Sequence, residues 1–110
     1  KEGVHHWWLQ RVLSLALLPL SLWFVASVVG LAGADYATAV EWLANPVVAV
    51  LMVILIAIGF HHAQLGMQSV YEDYISRHWV RAGVDLATKG LCLVLAVAAI
   101  FAVLKIALGA

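Results

Sequence analysis

The sequence predicts an all-α integral membrane protein of three transmembrane helices, and three observations carry that reading. First, 65% of the 110 residues are hydrophobic and 11% are charged, whereas soluble domains carry about 25% charged residues. Second, three apolar runs each reach membrane length. Third, the basic residues gather at the ends of these runs. Six Lys plus Arg balance six Asp plus Glu, so no basic excess favours nucleic acid. The single cysteine, Cys92, lies in an apolar run. It excludes an intrachain disulfide and leaves the redox compartment unread.

The first span is Val12 to Ala34, about 34 Å of uncharged helix against a hydrocarbon core of about 30 Å. Its length and the absence of a small-residue cleavage pattern mark it as a span, not a cleavable signal. The sequence opens on Lys1 instead of methionine, so a few preceding residues are expected. Pro19 removes one backbone hydrogen bond and is expected to kink the helix, with Ser14, Ser21 and Ser27 near enough to compensate. Asn45-Pro46 reads as an N-cap followed by proline at the first helical position, opening a second span over 47–71. The uncharged stretch from Trp42 to Tyr71 would reach about 45 Å as helix, so this helix should project from the bilayer. The third span runs over about 86–108, with Lys89 and Lys105 near its ends where long side chains can snorkel. Residues 1–110 form a single domain with no linker or repeat.

Lys1 and Arg11 precede the first span, Arg77, Arg81 and Lys89 follow the second, and the loop from Gly33 to Asn45 has no basic residue. The positive-inside rule therefore puts the N-terminus and the second loop in the cytoplasm, or in the matrix of a mitochondrion. Trp7, Trp8 and Trp79 on that side, with Tyr36 and Trp42 opposite, read as two interfacial aromatic belts.

His61 and His62 lie inside the second apolar run, where an ionisable residue is costly and must find a partner. Two readings stand: neutral histidines bonding helix to helix, or a ligand for a cofactor. At about 100° per residue, His62, Gly66, Ser69 and Asp73 share one stripe with Gly59 beside it, while His61, Leu65, Gln68 and Glu72 share another. The first stripe is small apart from its histidine. It suits either close approach of another helix or a flat cofactor whose iron His62 ligates. The two histidines cannot ligate one iron. Glu72, Asp73 and Tyr74 fall at the same membrane face as Arg11, His5 and His6. Such groups are ordinarily solvated boundary residues. They are also the donors and proton carriers that a quinone head group requires, and the cations that haem propionates require.

The segment from His62 through Gly66 to Asp73-Tyr74 resembles the H-x-x-x-G-x-x-x-x-x-x-D-Y signature of the succinate dehydrogenase hydrophobic membrane anchor, in the succinate:quinone oxidoreductase (complex II) family. Gly3-Val4-His5 followed by Arg11 is similar to the N-terminal pattern of bacterial members, and the three-span layout matches over nearly the whole chain. The resemblance implies that His62 is an axial ligand of a b-type haem, Tyr74 a hydrogen-bond donor to ubiquinone, and Asp73 a neighbour tuning that site. Arg11, with His5, would face the haem propionates or the quinone pocket. It further implies a second membrane anchor chain, supplying the other haem ligand within a heteromeric helix bundle, and an iron–sulfur subunit and a flavoprotein subunit that oxidises succinate. This chain itself performs no dehydrogenation. Geometry and resemblance meet at one point: no other histidine lies deep in a span, so a bis-histidine site needs a ligand from another chain.

The nearest rival is the anchor of a quinol:fumarate reductase, the same chemistry reversed. A more distant one is a non-catalytic assembly protein whose histidines only join helices. A proton or ion pathway would need polar residues through the whole membrane, and the third span lacks them. The N-terminal pattern and the absence of an Arg- and Ser-rich transit segment favour a bacterial inner membrane over a mitochondrial one.

Overall fold

A computed structural model of the protein describes residues 2–109. Lys1, counted above among the basic residues preceding the first span, lies outside the described residues. Four helices follow one another: α1 (Glu2–Gly30), α2 (Tyr36–Ala44), α3 (Pro46–Tyr74) and α4 (His78–Ala107). Three of them, α1, α3 and α4, are long and apolar enough to cross a membrane. The all-helical fold with three membrane-length helices agrees with the sequence expectation.

The helices do not stop where the apolar runs stop. α1 begins well before Val12 because Trp7, Leu9, Gln10 and Arg11 continue the helix beyond the uncharged stretch. It ends at Gly30, four residues short of the expected Ala34. There the chain turns through Gly33, whose φ of 82° suits a residue without Cβ. α1 passes through Pro19 as one continuous helix. α4 likewise starts at His78 instead of near Leu86, so Trp79 sits in its first turn and not in a loop. A charge ends a hydrophobic run without ending a helix, and membrane helices longer than about 20 residues project from the hydrocarbon core.

The stretch expected as a loop between the first two spans contains α2. Asp35 caps it, accepting hydrogen bonds from the Thr38 amide at 3.0 Å and the Thr38 hydroxyl at 2.6 Å. These bonds, the hydroxyl's foremost, hold the Asp35 carboxyl below the usual carboxylate range. Trp42 of α2 stacks on Trp23 of α1 with ring centroids 5.8 Å apart. Asn45 ends α2 and caps α3: its side chain accepts from the Val47 amide at 2.9 Å, and Pro46 holds the first helical position. Here the structure reproduces the cap expected from sequence.

α3 is the central element. It packs along α4 over much of its length and more sparingly against α1, while α2 lies across α3 and α4. α3 and α4 are antiparallel and joined by residues 75–77, and Trp23 in the second half of α1 stacks on Trp42 just before α3, so the start of α1, the end of α3 and the start of α4 share one end of a molecule measuring 50 × 26 × 24 Å. Only Ala49, Gln64, Tyr71 and Val103 are buried among the described residues, whereas large apolar side chains along all three long helices are exposed. In water such a surface would drive association. In a bilayer it is the lipid-facing and helix-facing surface.

Candidate functional site

The second half of α3 carries the residues singled out by sequence. His62, Gly66, Ser69 and Asp73 are all exposed. By helical angle, this stripe faces away from α4. A Cβ added at Gly59 or Gly66 would meet nothing within 4 Å. His62 thus stands exposed with exposed Gly66 one turn after it, while Gly59, one turn before it, is half-buried and lines a groove with Leu17 and Ser21 of α1. That arrangement fits a flat macrocycle laid against α3, with one imidazole from this chain directed at its iron. Among the described residues no group of three or more His, Cys, Asp or Glu is placed to hold a metal ion.

His61 meets different surroundings. It lines a groove of about 340 Å³ between α3 and α4, together with Phe60, Gln64, Lys89, Cys92 and further apolar residues of α4. Gln64 is buried, and its amide donates to Gln68 Oε1 at 3.1 Å, whose own amide donates to Glu72 Oε2 at 3.0 Å. Gln64, Gln68 and Glu72 therefore satisfy one another down the helix, as polar groups in a low-dielectric setting require. The Ser69 hydroxyl donates back to the Leu65 carbonyl at 3.2 Å, a common resolution for a serine within a membrane helix.

At the shared end of the molecule, Asp73 and Tyr74 occupy the last turn of α3, and Tyr74 is 84% exposed. Arg11 lies 4.6 Å over the Trp7 ring, a cation–π contact. It lines a shallow groove on α1 with Trp7, Gln10, Ser14, Leu15 and Leu18, and His5 is exposed. Arg11, Asp73 and Tyr74 thus share one end of the molecule without closing on one another. No hydrogen bond or ion pair joins them among the described residues. A pocket built from them needs walls from elsewhere.

One polar cluster escaped the sequence reading. Tyr71 is 5% exposed, and its hydroxyl donates to Asp85 of α4. Lys89 donates to the other Asp85 oxygen at 3.0 Å. The i, i+4 spacing of Asp85 and Lys89 was visible in the sequence as a helical ion pair. Its link to Tyr71 depends on how tightly the chain turns at residues 75–77, which no local pattern reveals.

Comparison with known proteins bears on this geometry. Residues 1–104 match the family model described as succinate dehydrogenase/fumarate reductase transmembrane subunit. The succinate dehydrogenase hydrophobic membrane anchor subunit of Rickettsia conorii is 36% identical over 103 residues, covering 93% of this chain and 82% of that protein. The proteins of the same name from Rickettsia bellii and Rickettsia prowazekii are 35% and 31% identical, each match covering 94% of this chain and 82% of the relative. No solved structure matches the chain. The family match extends through all three membrane-length helices, and the relatives align over nearly the whole sequence: the chain belongs to the succinate dehydrogenase/fumarate reductase transmembrane subunit family, as a multi-pass hydrophobic membrane anchor.

Proposed function

We propose that this chain anchors a succinate dehydrogenase in a bacterial inner membrane, shares a b-type haem with a second membrane anchor chain, and forms part of the site where ubiquinone is reduced. Succinate is oxidised in a flavoprotein subunit, and an iron–sulfur subunit carries the electrons to the membrane. The observation that carries this reading is His62, an exposed histidine deep in an apolar helix, on a stripe with exposed Gly66 one turn on. Such a face suits a group, or a helix of another chain, that approaches α3 closely. An anchor whose cofactor lies between two chains requires one.

When bound, the haem supplies a one-electron couple whose potential depends on its ligands and burial. His62 would hold the iron from this chain through an imidazole nitrogen, and the absence of a side chain at Gly66, with Gly59 beside the stripe, would leave room for the ring. Arg11, with His5, would offer hydrogen-bond donors to propionates or to the rim of the quinone pocket. Reduction of ubiquinone to the quinol consumes two electrons and two protons. The Tyr74 hydroxyl would donate a hydrogen bond to a quinone carbonyl and orient it, while the adjacent Asp73 carboxyl group would relay protons inward from the aqueous face. The exposure of Tyr74 agrees with a site completed by partner subunits.

The test is a reduced-minus-oxidised optical spectrum of the purified complex with the native chain, with His62→Leu and with His61→Leu. The expected result is a b-type haem signal lost in His62→Leu and kept in His61→Leu. Loss only in His61→Leu would move the ligand to the α3–α4 groove, and absence of haem from the native complex would leave both histidines structural. The family model also covers fumarate reductase anchors. Comparing succinate:quinone and quinol:fumarate turnover in the same preparation separates the two directions.

A further inference from the structure

Tyr74 and Asp73 lie in the last turn of a helix, and helix ends fray at little free-energy cost. A side chain there orients a substrate poorly unless something fixes the turn. Tyr71 is the residue placed to do so. Its backbone carbonyl accepts the Ile75 amide at 2.9 Å, closing the turn that contains Asp73 and Tyr74. Its buried side chain crosses to α4 and donates to Asp85, which Lys89 holds from one turn further along. Tyr71 is also the only buried residue in the second half of α3 after Gln64 among the described residues. The cluster lies on the face of α3 towards α4, and neither Asp85 nor Tyr71 lies on the His62 stripe, so their part is separate from holding a cofactor.

We propose that Asp85, acting through Tyr71, is a positioning residue that fixes the last turn of α3 so that Tyr74 and Asp73 meet the quinone in one orientation. This rests on the assignment of Tyr74 to the quinone site. What the quinone requires of Asp85 is a hydrogen-bond acceptor for Tyr71, not a negative charge. An asparagine supplies that acceptor through its carbonyl oxygen, whereas leucine does not.

The experiment uses the purified complex carrying Tyr71→Phe, Asp85→Leu, Asp85→Asn or Tyr74→Phe. It measures KM and kcat for a soluble ubiquinone analogue, with succinate oxidation by an artificial acceptor as control. Tyr71→Phe is the cleanest variant because it leaves the Asp85–Lys89 pair in place. Tyr71→Phe and Asp85→Leu are expected to raise the KM for the quinone about three- to tenfold, the scale of one hydrogen bond, with the artificial-acceptor rate unchanged. Asp85→Asn is expected to stay within about twofold of native, on the same scale. An unmoved KM in Tyr71→Phe beside an impaired Tyr74→Phe would overturn the positioning role alone, even if the complex lost thermal stability. Equal damage in Asp85→Asn and Asp85→Leu would overturn it too, since charge and not the hydrogen bond would then matter. A Tyr74→Phe complex with native quinone kinetics would instead remove the quinone assignment beneath it.

Discussion

His61 and His62 are neighbours in sequence, yet about 100° of helical rotation gives them different surroundings. One lines the α3–α4 groove and the other stands on an open stripe. That rotation makes Gly66 a sharper probe of the stripe than the histidine itself. Gly66→Leu places its branch where the chain has no atom within 4 Å of the new Cβ, and it replaces a poor helix former with a good one. The chain is therefore expected to insert and fold normally while the complex loses most of its haem, measured as haem per flavin. Full haem content in Gly66→Leu would mean that no flat group lies on this stripe. Tyr74→Phe removes a single hydroxyl from an exposed position. It is expected to lower ubiquinone reduction about tenfold, near the upper end for one hydrogen bond, and to leave succinate oxidation by an artificial acceptor intact. Equal loss of both activities would point to misassembly.

At the scale of the element, caps decide what the sequence discloses. Asn45-Pro46 was legible because an N-cap is a local device: the amide side chain reaches a backbone N–H two residues on, and proline fits the first turn. Asn45→Ala is expected to cost about 1 kcal/mol, seen as faster hydrogen exchange at the start of α3, with the middle of the helix unchanged. α2 was not read from sequence, although Asp35 caps it in the same manner. Helices of fewer than about 12 residues are marginal in isolation, and α2 is sustained by contacts distant in sequence: its packing across α3 and α4 and the stacking of Trp42 on Trp23. Its cap also gives it a pH dependence. Hydrogen bonding to Thr38 lowers the Asp35 pKa in the folded state, so the stabilisation is present above the unfolded carboxylate pKa and is lost as pH falls through the lower, folded value. Exchange at the α2 amides, after correction for intrinsic rates, is expected to quicken in that acidic window in the native chain and to be pH-independent there in Asp35→Asn. A native α2 whose corrected exchange ignores pH would show that the cap does not hold it.

For the whole molecule, apolar run length gave the number of long helices because a bilayer permits few alternatives to helix. The Tyr71–Asp85–Lys89 cluster stayed hidden because it is a tertiary contact set by a three-residue connection. The orientation of the whole in the membrane follows from charge: Arg11 lies near the start of α1, and Arg77 and Arg81 flank the start of α4, while residues 31–35 between α1 and α2 include no basic residue. The positive-inside rule then predicts that the end carrying Tyr74 faces the cytoplasm, the side from which an iron–sulfur subunit would deliver electrons. Single cysteines at Ala34 and Ser76, both exposed, in a Cys92→Ser background read this directly. A membrane-impermeant maleimide added to intact spheroplasts is expected to label Ala34→Cys and spare Ser76→Cys, and inverted vesicles are expected to reverse the pattern. The opposite labelling would put Tyr74, Asp73 and Arg11 at the outer face. Quinone reduction there would draw its protons from outside the cell, and neither the positive-inside argument nor the proposed quinone site would survive.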